Sequence, residues 1–248
     1  MFETLSLRSL YGSVKRHQGR PLRPFLPSLR TTLLCTLGIG VLCLLLILYV
    51  DRPLALRLQT VAPGIERFFF YVTQLGKSTP YLTFFGLVFI FFYPASKTER
   101  YAHKAPALRR FALISLFIFL AVALSGILTD LLKVVFARYR PVMLYRKGLF
   151  GFVFFRFSPA NVLSFPSGHA DTIASLSTAL FLLYPRYRGL YILLALMVMA
   201  SRLIVGEHFL SDVVAGAYLG IVTTYYLKGF FEYHRLSIFP KPRRQPIK

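Results

Sequence analysis

The chain has 248 residues, 56% of them hydrophobic, and a mean hydropathy of +0.58. A soluble domain of this size cannot bury so much apolar surface in one core, so lipid is its main solvent. The formal charge of +21 would suit nucleic acid, but the basic residues stand in short runs beside apolar stretches of fifteen or more residues. That pattern is membrane topology and argues against a nucleic-acid partner.

Residues 1–30 form a basic tail, with Arg8, Lys15, Arg16, Arg20, Arg23 and Arg30 against Glu3, and with Pro21, Pro24 and Pro27 opposing a long helix. Thr31 to Val50 carries no charge for twenty residues, enough for a helix to cross roughly 30 Å of hydrocarbon. Its long charged lead, and the lack of a small-residue cleavage site at Asp51-Arg52-Pro53, separate it from a signal peptide. Cys35 and Cys43 both lie on this segment, where a helix holds them too far apart to bond.

From Asp51 to Ser78 charges mix with aromatics, which predicts short amphipathic pieces along the interface. A second span is expected from about Thr79 to Tyr93, followed by a basic loop with Lys97, Arg100, Lys104, Arg109 and Arg110. A third span covers Phe111 to about Leu132. A polar and aromatic stretch then runs to His169. The fourth span is Ala170 to Tyr184, followed by the turn Pro185-Arg186-Tyr187-Arg188. The fifth is Gly189 to about Ile204, and the sixth is roughly Asp212 to Leu227.

The expected fold is therefore all-α: a six-transmembrane-helix bundle over residues 31–230 with short interfacial helices, between basic tails at 1–30 and 231–248. Six spans put both termini on one side of the membrane. That side carries six basic residues in the N-terminal tail, five in the second-to-third loop, two in the fourth-to-fifth turn and six from Lys228 onward, after the sixth span, out of 30 Lys and Arg. The positive-inside bias makes it cytoplasmic.

Clusters of reactive residues fall at helix ends on the opposite side. They are Lys133-Val-Val-Phe-Ala-Arg-Tyr-Arg140-Pro141, Pro166-Ser167-Gly168-His169, and Ser201-Arg202-Leu-Ile-Val-Gly-Glu-His208-Phe-Leu-Ser-Asp212. A phosphoryl group in transfer spreads negative charge over three equatorial oxygens, and Lys133, Arg140 and Arg202 supply fixed cations for it. Pro141 keeps Arg140 out of helical geometry. Taken singly, each cation could equally be snorkelling at a helix end. Ser167 and Gly168 precede the fourth helix, whose first amides form an anion site, although Pro-Ser-Gly is also an ordinary turn with a serine cap.

His208 and Asp212 are spaced i and i+4, so on a continuous helix they share a face. Asp212 could then fix one imidazole tautomer and leave the other nitrogen to attack phosphorus. Asp212 could at the same time cap the sixth helix. His169 can protonate the departing alkoxide. Asp130, Asp171 and Glu207 lie nearby and are expected to form structural ion pairs, Asp130 with Lys133 one turn away.

These clusters resemble the signature motifs of the type 2 phosphatidic acid phosphatase superfamily, K-x6-RP, PSGH and SR-x5-H-x3-D, and every specified position matches. The resemblance implies an integral membrane lipid phosphatase with His208 as nucleophile, Asp212 as its orienter and His169 as acid. Lys133, Arg140, Ser167, Gly168 and Arg202 would bind phosphate. It implies no metal and no cofactor. With Asp and Glu totalling nine, the chain shows no carboxylate or histidine cluster of metal-ligand spacing elsewhere.

A phosphotransferase on the same site would differ only in its acceptor. A six-helix transporter would place its ionisable residues at the midplane rather than at one face. The loop 142–165 carries an aromatic run bounded by Arg146, Lys147 and Arg156, suited either to covering the site mouth or to plain interfacial anchoring. In length and texture it is similar to the loop of bacterial lipid A 1-phosphatases. That points to a bacterial inner-membrane enzyme with its site facing the periplasm, acting on lipid A or another anionic phospholipid and requiring no protein partner. Undecaprenyl diphosphate and phosphatidylglycerol phosphate stand as alternative substrates.

Overall fold

The computed structural model describes residues 28–157, 160–236 and 238–240. Most of the N-terminal basic tail, residues 1 to 27, and the last part of the C-terminal one, residues 241 to 248, lie outside the described residues. The helices are α1 (Leu29–Tyr49), α2 (Asp51–Leu58), α3 (Pro63–Val72), α4 (Ser78–Ala95), α5 (Ala105–Phe136), α6 (Pro141–Lys147), α7 (Gly168–Leu183), α8 (Arg188–Ile204) and α9 (Leu210–Tyr233). Among the described residues the only β pairing is an isolated bridge between Arg138 and Phe152.

Stretches long and apolar enough to cross a membrane are Leu29–Tyr49, Pro63–Ala95, Glu99–Phe136, Pro185–Ile204 and Leu210–Tyr233. The expected fourth span is different. Helix α7 has 16 residues, about 24 Å at 1.5 Å per residue, which is short of the hydrocarbon thickness. It can be short because protein surrounds it: α7 packs on α5, α8 and α9, and Ala170 to Leu176 is buried throughout. The outer helix α1 is the reverse, with most of its leucines exposed to lipid. It is tied to α9 by hydroxyl pairs, Thr36 with Tyr218 at 2.6 Å and Thr32 with Tyr226 at 2.7 Å.

The core is built from Phe117, Ile118 and Val122 of α5, Ile173 and Leu176 of α7, Val198 of α8, and Leu227 and Phe231 of α9. Helices α7 and α9 approach until backbone meets backbone. A Cβ at Gly216 would lie 2.2 Å from the Ser167 carbonyl oxygen, and one at Gly220 would lie 2.5 Å from that of Asp171. Small residues permit this contact, which dispersion and close packing reward inside a membrane.

The segment 51–78 is only partly interfacial. Helix α3 buries none of its residues and exposes Ile65, Phe68, Phe70 and Tyr71, as an interfacial helix does. Helix α2 instead buries Asp51 and Ala55 against the bundle.

Helix α5 runs to Phe136, a turn beyond the expected end, and stops on Ala137 in the left-handed region (φ 34°). The following segment is wrapped by residues 149–157 and 160–164 of the next loop. Arg156, Phe155 and Val153 donate amides to the carbonyls of Val134, Val135 and Ala137, and Ser164 donates to that of Arg138. These bonds satisfy the open carbonyl end of α5, so the loop supports the first motif from below. Its tip is apolar and bare, with Phe155 73% and Phe157 84% exposed.

Candidate active site

The second and third motifs are joined through backbone. The Ser167 amide donates to the Asp212 carbonyl at 2.9 Å, at the place where Gly216 admits the close approach. Ser167 is fully buried and caps α7, its hydroxyl accepting from the Ala170 amide at 3.5 Å. Capping and site-building thus coincide at this residue. Gly168 opens the first turn of α7 with Lys133 Nζ close above it, 3.0 Å from where a Cβ would stand. A side chain there would push the lysine off the anion-binding end of the helix. His169 follows on the same turn and packs against Gly76, where a Cβ would fall 2.8 Å from the ring.

The cations come from separate elements. Lys133, in the last turn of α5, pairs with Asp130 at 2.8 Å as the i, i+3 spacing predicts. Arg140 is extended (φ −78°, ψ 159°) because Pro141 begins α6. Its guanidinium donates to Glu207 Oε2. Arg202, near the end of α8, stands 3.8 Å from the same Oε2 and donates to Thr73 Oγ1 at 2.5 Å. The Nε atoms of Arg140 and Arg202 are buried without a hydrogen-bond partner. Such orphan donors are what an incoming phosphate oxygen would take.

His208 does not lie on a helix continuous with Asp212, in keeping with expected spans that end at about Ile204 and resume at about Asp212. Helix α8 ends at Ile204 and α9 begins at Leu210, leaving His208 in the connection between them. Asp212 sits in the first turn of α9, where its Oδ2 accepts the Phe209 amide at 2.8 Å. This capping carboxylate also faces the imidazole. His208 Nδ1 lies 3.6 Å from Asp212 Oδ2, beyond hydrogen-bond distance. Ser164 Oγ stands between them, 3.5 Å from Nδ1 and donating to Oδ2 at 2.5 Å.

Burial pushes the His208 pKa down to about 4; the Asp212 carboxylate opposes that fall, while Arg202 and Arg140 add to it. The ring is therefore neutral near pH 7, with a lone pair available. Beside His208, on the α2 side, a cavity of about 10 Å³ is lined by Asp51, Leu54, Ala55, Leu203 and Phe209 among others. It has room for about one water.

Arg138, Asp51 and Ser164 join the site although the motif reading passed over them. Arg138 is fully buried and donates to Asp212 Oδ1 at 2.6 Å, to Ser211 Oγ at 2.7 Å and to Asp51 Oδ2 at 2.9 Å. The rings of Phe209, Phe150 and Phe152 enclose it at 4.3, 5.3 and 5.2 Å. Asp51 also accepts the Ser211 amide at 3.1 Å. A second arginine within the first motif, and an acid at the foot of the first span, were the available signals. Asp171, expected in an ion pair, instead accepts a hydrogen bond from Ser125 at 3.1 Å. Among the described residues no group of three or more His, Cys, Asp or Glu stands where it could hold a metal.

The site can thus hold an anion between α7's first turn and two arginines, with a neutral, carboxylate-backed imidazole beside it. Known proteins are similar to this chain in sequence or in fold. Lipid A 1-phosphatases of Rhizobium etli and Rhizobium johnstonii are each 40% identical over 128 residues, 52% of this chain and 53% and 51% of theirs. The match therefore spans about half the length of those curated relatives.

Two crystal structures are similar in fold. One is the first transmembrane PAP2 type phosphatidylglycerolphosphate phosphatase from Bacillus subtilis (TM-score 0.53, 19% identity, 81% of this chain and 96% of that one). The other is Aquifex aeolicus LpxE (TM-score 0.51, 22% identity, 72% and 94%). The PAP2 superfamily model matches residues 114–236, a segment that contains every residue of the three motifs, and that segment belongs to the PAP2 superfamily.

Proposed function

We propose that the protein is a membrane lipid phosphatase that moves phosphate from a lipid to His208 and then to water. The observation that carries this reading is the meeting of a neutral, carboxylate-backed His208 with Arg140 and Arg202, whose Nε donors lack partners. Lys133, Arg140, Arg202 and the first amides of α7 would hold the phosphoryl oxygens and stabilise the charge that spreads over them. With Nδ1 turned toward Ser164 and Asp212, Nε2 would attack phosphorus as the bond to the lipid oxygen breaks. Burial and the neighbouring cations lower the His169 pKa; the negative charge of a bound phosphate would restore its proton, which His169 would give to the lipid oxygen before taking one from the water that attacks the phosphohistidine. His169→Ala should therefore slow release of a lipid alkoxide more than release of nitrophenolate. Equal losses would remove His169 from the acid role.

Lipid A is the favoured substrate, supported by the 40% identity to proteins named lipid A 1-phosphatases and by the bare aromatic tip at Phe155 and Phe157. The setting we propose is a bacterial inner membrane with both termini cytoplasmic and the site facing the periplasm, a reading that the distribution of basic loops supports. The test is phosphate release by purified protein from lipid A, undecaprenyl diphosphate and phosphatidylglycerol phosphate at matched concentration, with His208→Ala as control. Preference for lipid A is expected. A tenfold or greater preference for either alternative would discard lipid A and keep the mechanism.

A further inference from the structure

One carboxylate oxygen, Glu207 Oε2, serves both motif arginines. Arg140 donates to it, and Arg202 Nη2 lies 3.8 Å away. The arginines come from opposite ends of the site's sequence, one before α6 and one near the end of α8, and a single negative oxygen draws them together. Glu207 is the most exposed of the three side chains, at 39% against 25% for Arg140 and 7% for Arg202. Its backbone is fixed, since the amides of Glu207 and His208 both donate to the Arg202 carbonyl, at 3.1 and 3.2 Å. The side chain is therefore free to leave for solvent while the arginines and His208 stay in place.

The match between Glu207 and the arginines is incomplete. It leaves Arg140 Nε and Arg202 Nε buried and without partners. A tetrahedral phosphate has more oxygens to offer and could satisfy donors that one carboxylate oxygen cannot reach. Resting on the phosphate-site reading above, we propose that Glu207 is a resident anion: its carboxylate occupies the seat of a phosphate oxygen in the empty site. It keeps Arg140 and Arg202 from repelling each other, is displaced by the substrate's phosphate, and returns to expel inorganic phosphate after hydrolysis. This adds displacement to the ion-pair role expected for Glu207 and sets it in competition with the substrate.

Competition and scaffolding differ in sign. If Glu207 competes, removing its charge tightens anion binding. If it only braces the arginines, removing its charge loosens them and weakens binding. Glu207→Gln keeps the shape and loses the charge, and Glu207→Asp keeps the charge but shortens the reach. The experiment measures orthovanadate inhibition and phosphate product inhibition of the full-length protein in detergent micelles, with thermal midpoints as a folding control.

For Glu207→Gln we expect vanadate and phosphate to inhibit about fivefold more tightly, the scale of losing one partly exposed ion pair. KM should fall, and kcat should be unchanged or lower as product lingers. Glu207→Asp should shift in the same direction by less. Unchanged or weaker inhibition in a Glu207→Gln protein of normal thermal midpoint would overturn the proposal. A wild-type protein that vanadate does not inhibit would overturn the phosphate-site reading itself, and this inference with it.

Discussion

Arg138 and Asp212 are 74 residues apart in sequence and form an ion pair of 2.6 Å in which neither side chain has any exposure. Arg138 also bonds Asp51, so a residue at the start of α2 is tied to the carboxylate that faces His208. Buried charges are tolerated only when paired, and removing one partner strands the rest. Arg138→Met should therefore destabilise the protein by about 3–5 kcal/mol, the scale for breaking a buried pair. The thermal midpoint in detergent measures it. Combining Arg138→Met with Asp51→Asn should cost less than the sum of the separate losses, because the second change removes a stranded carboxylate. Strict additivity would show that the two residues are not coupled.

The sequence disclosed the helices and the motifs because both depend on local information. Twenty uncharged residues dictate α1, and the spacing within each motif carries its identity. It did not disclose Arg138, which occupies an unspecified position of the first motif and gains its role only when α2 and α9 close around it. Asp51 was passed over for a related reason: an acid beside an apolar span ordinarily faces water, and here Arg138 holds it inside. The i, i+4 spacing of His208 and Asp212 was noticed, and a continuous helix was one way for it to bring the two together. The chain does so with a connection at 205–209 in which Gly206 is in the left-handed region (φ 69°). The shortness of α7 was legible, since the expected fourth span from Ala170 to Tyr184 was already brief; its cause, enclosure by α5, α8 and α9, was not.

The buried state of His208 has a pH signature. Its pKa falls from 6.5 to about 4 in the fold, so between those values the unfolded chain binds a proton that the native chain does not. Stability therefore rises with pH across this window and is lost as pH drops from 6.5 toward 4. The effect on stability is as much as about 3 kcal/mol for a shift of this size. Thermal midpoints of wild type and His208→Gln, taken at pH 4.5 and 7.5, should show the wild type losing more on acidification. Equal losses would mean that His208 is not held neutral by burial.

Membrane orientation can be read by thiol accessibility. With Cys35 and Cys43 replaced, a single cysteine at Arg146 should react with an impermeant maleimide in spheroplasts. One at Ala102, in the basic loop before α5, should react only after lysis. The opposite pattern would invert the orientation and place the site in the cytoplasm.

The covalent step is the centre of the account. Purified protein mixed with ³²P-labelled lipid substrate and quenched within milliseconds should carry an acid-labile, base-stable phosphate that peptide mapping places on His208. The label should vanish in His208→Ala, along with turnover. Label on another residue, or full turnover by His208→Ala, would contradict the mechanism.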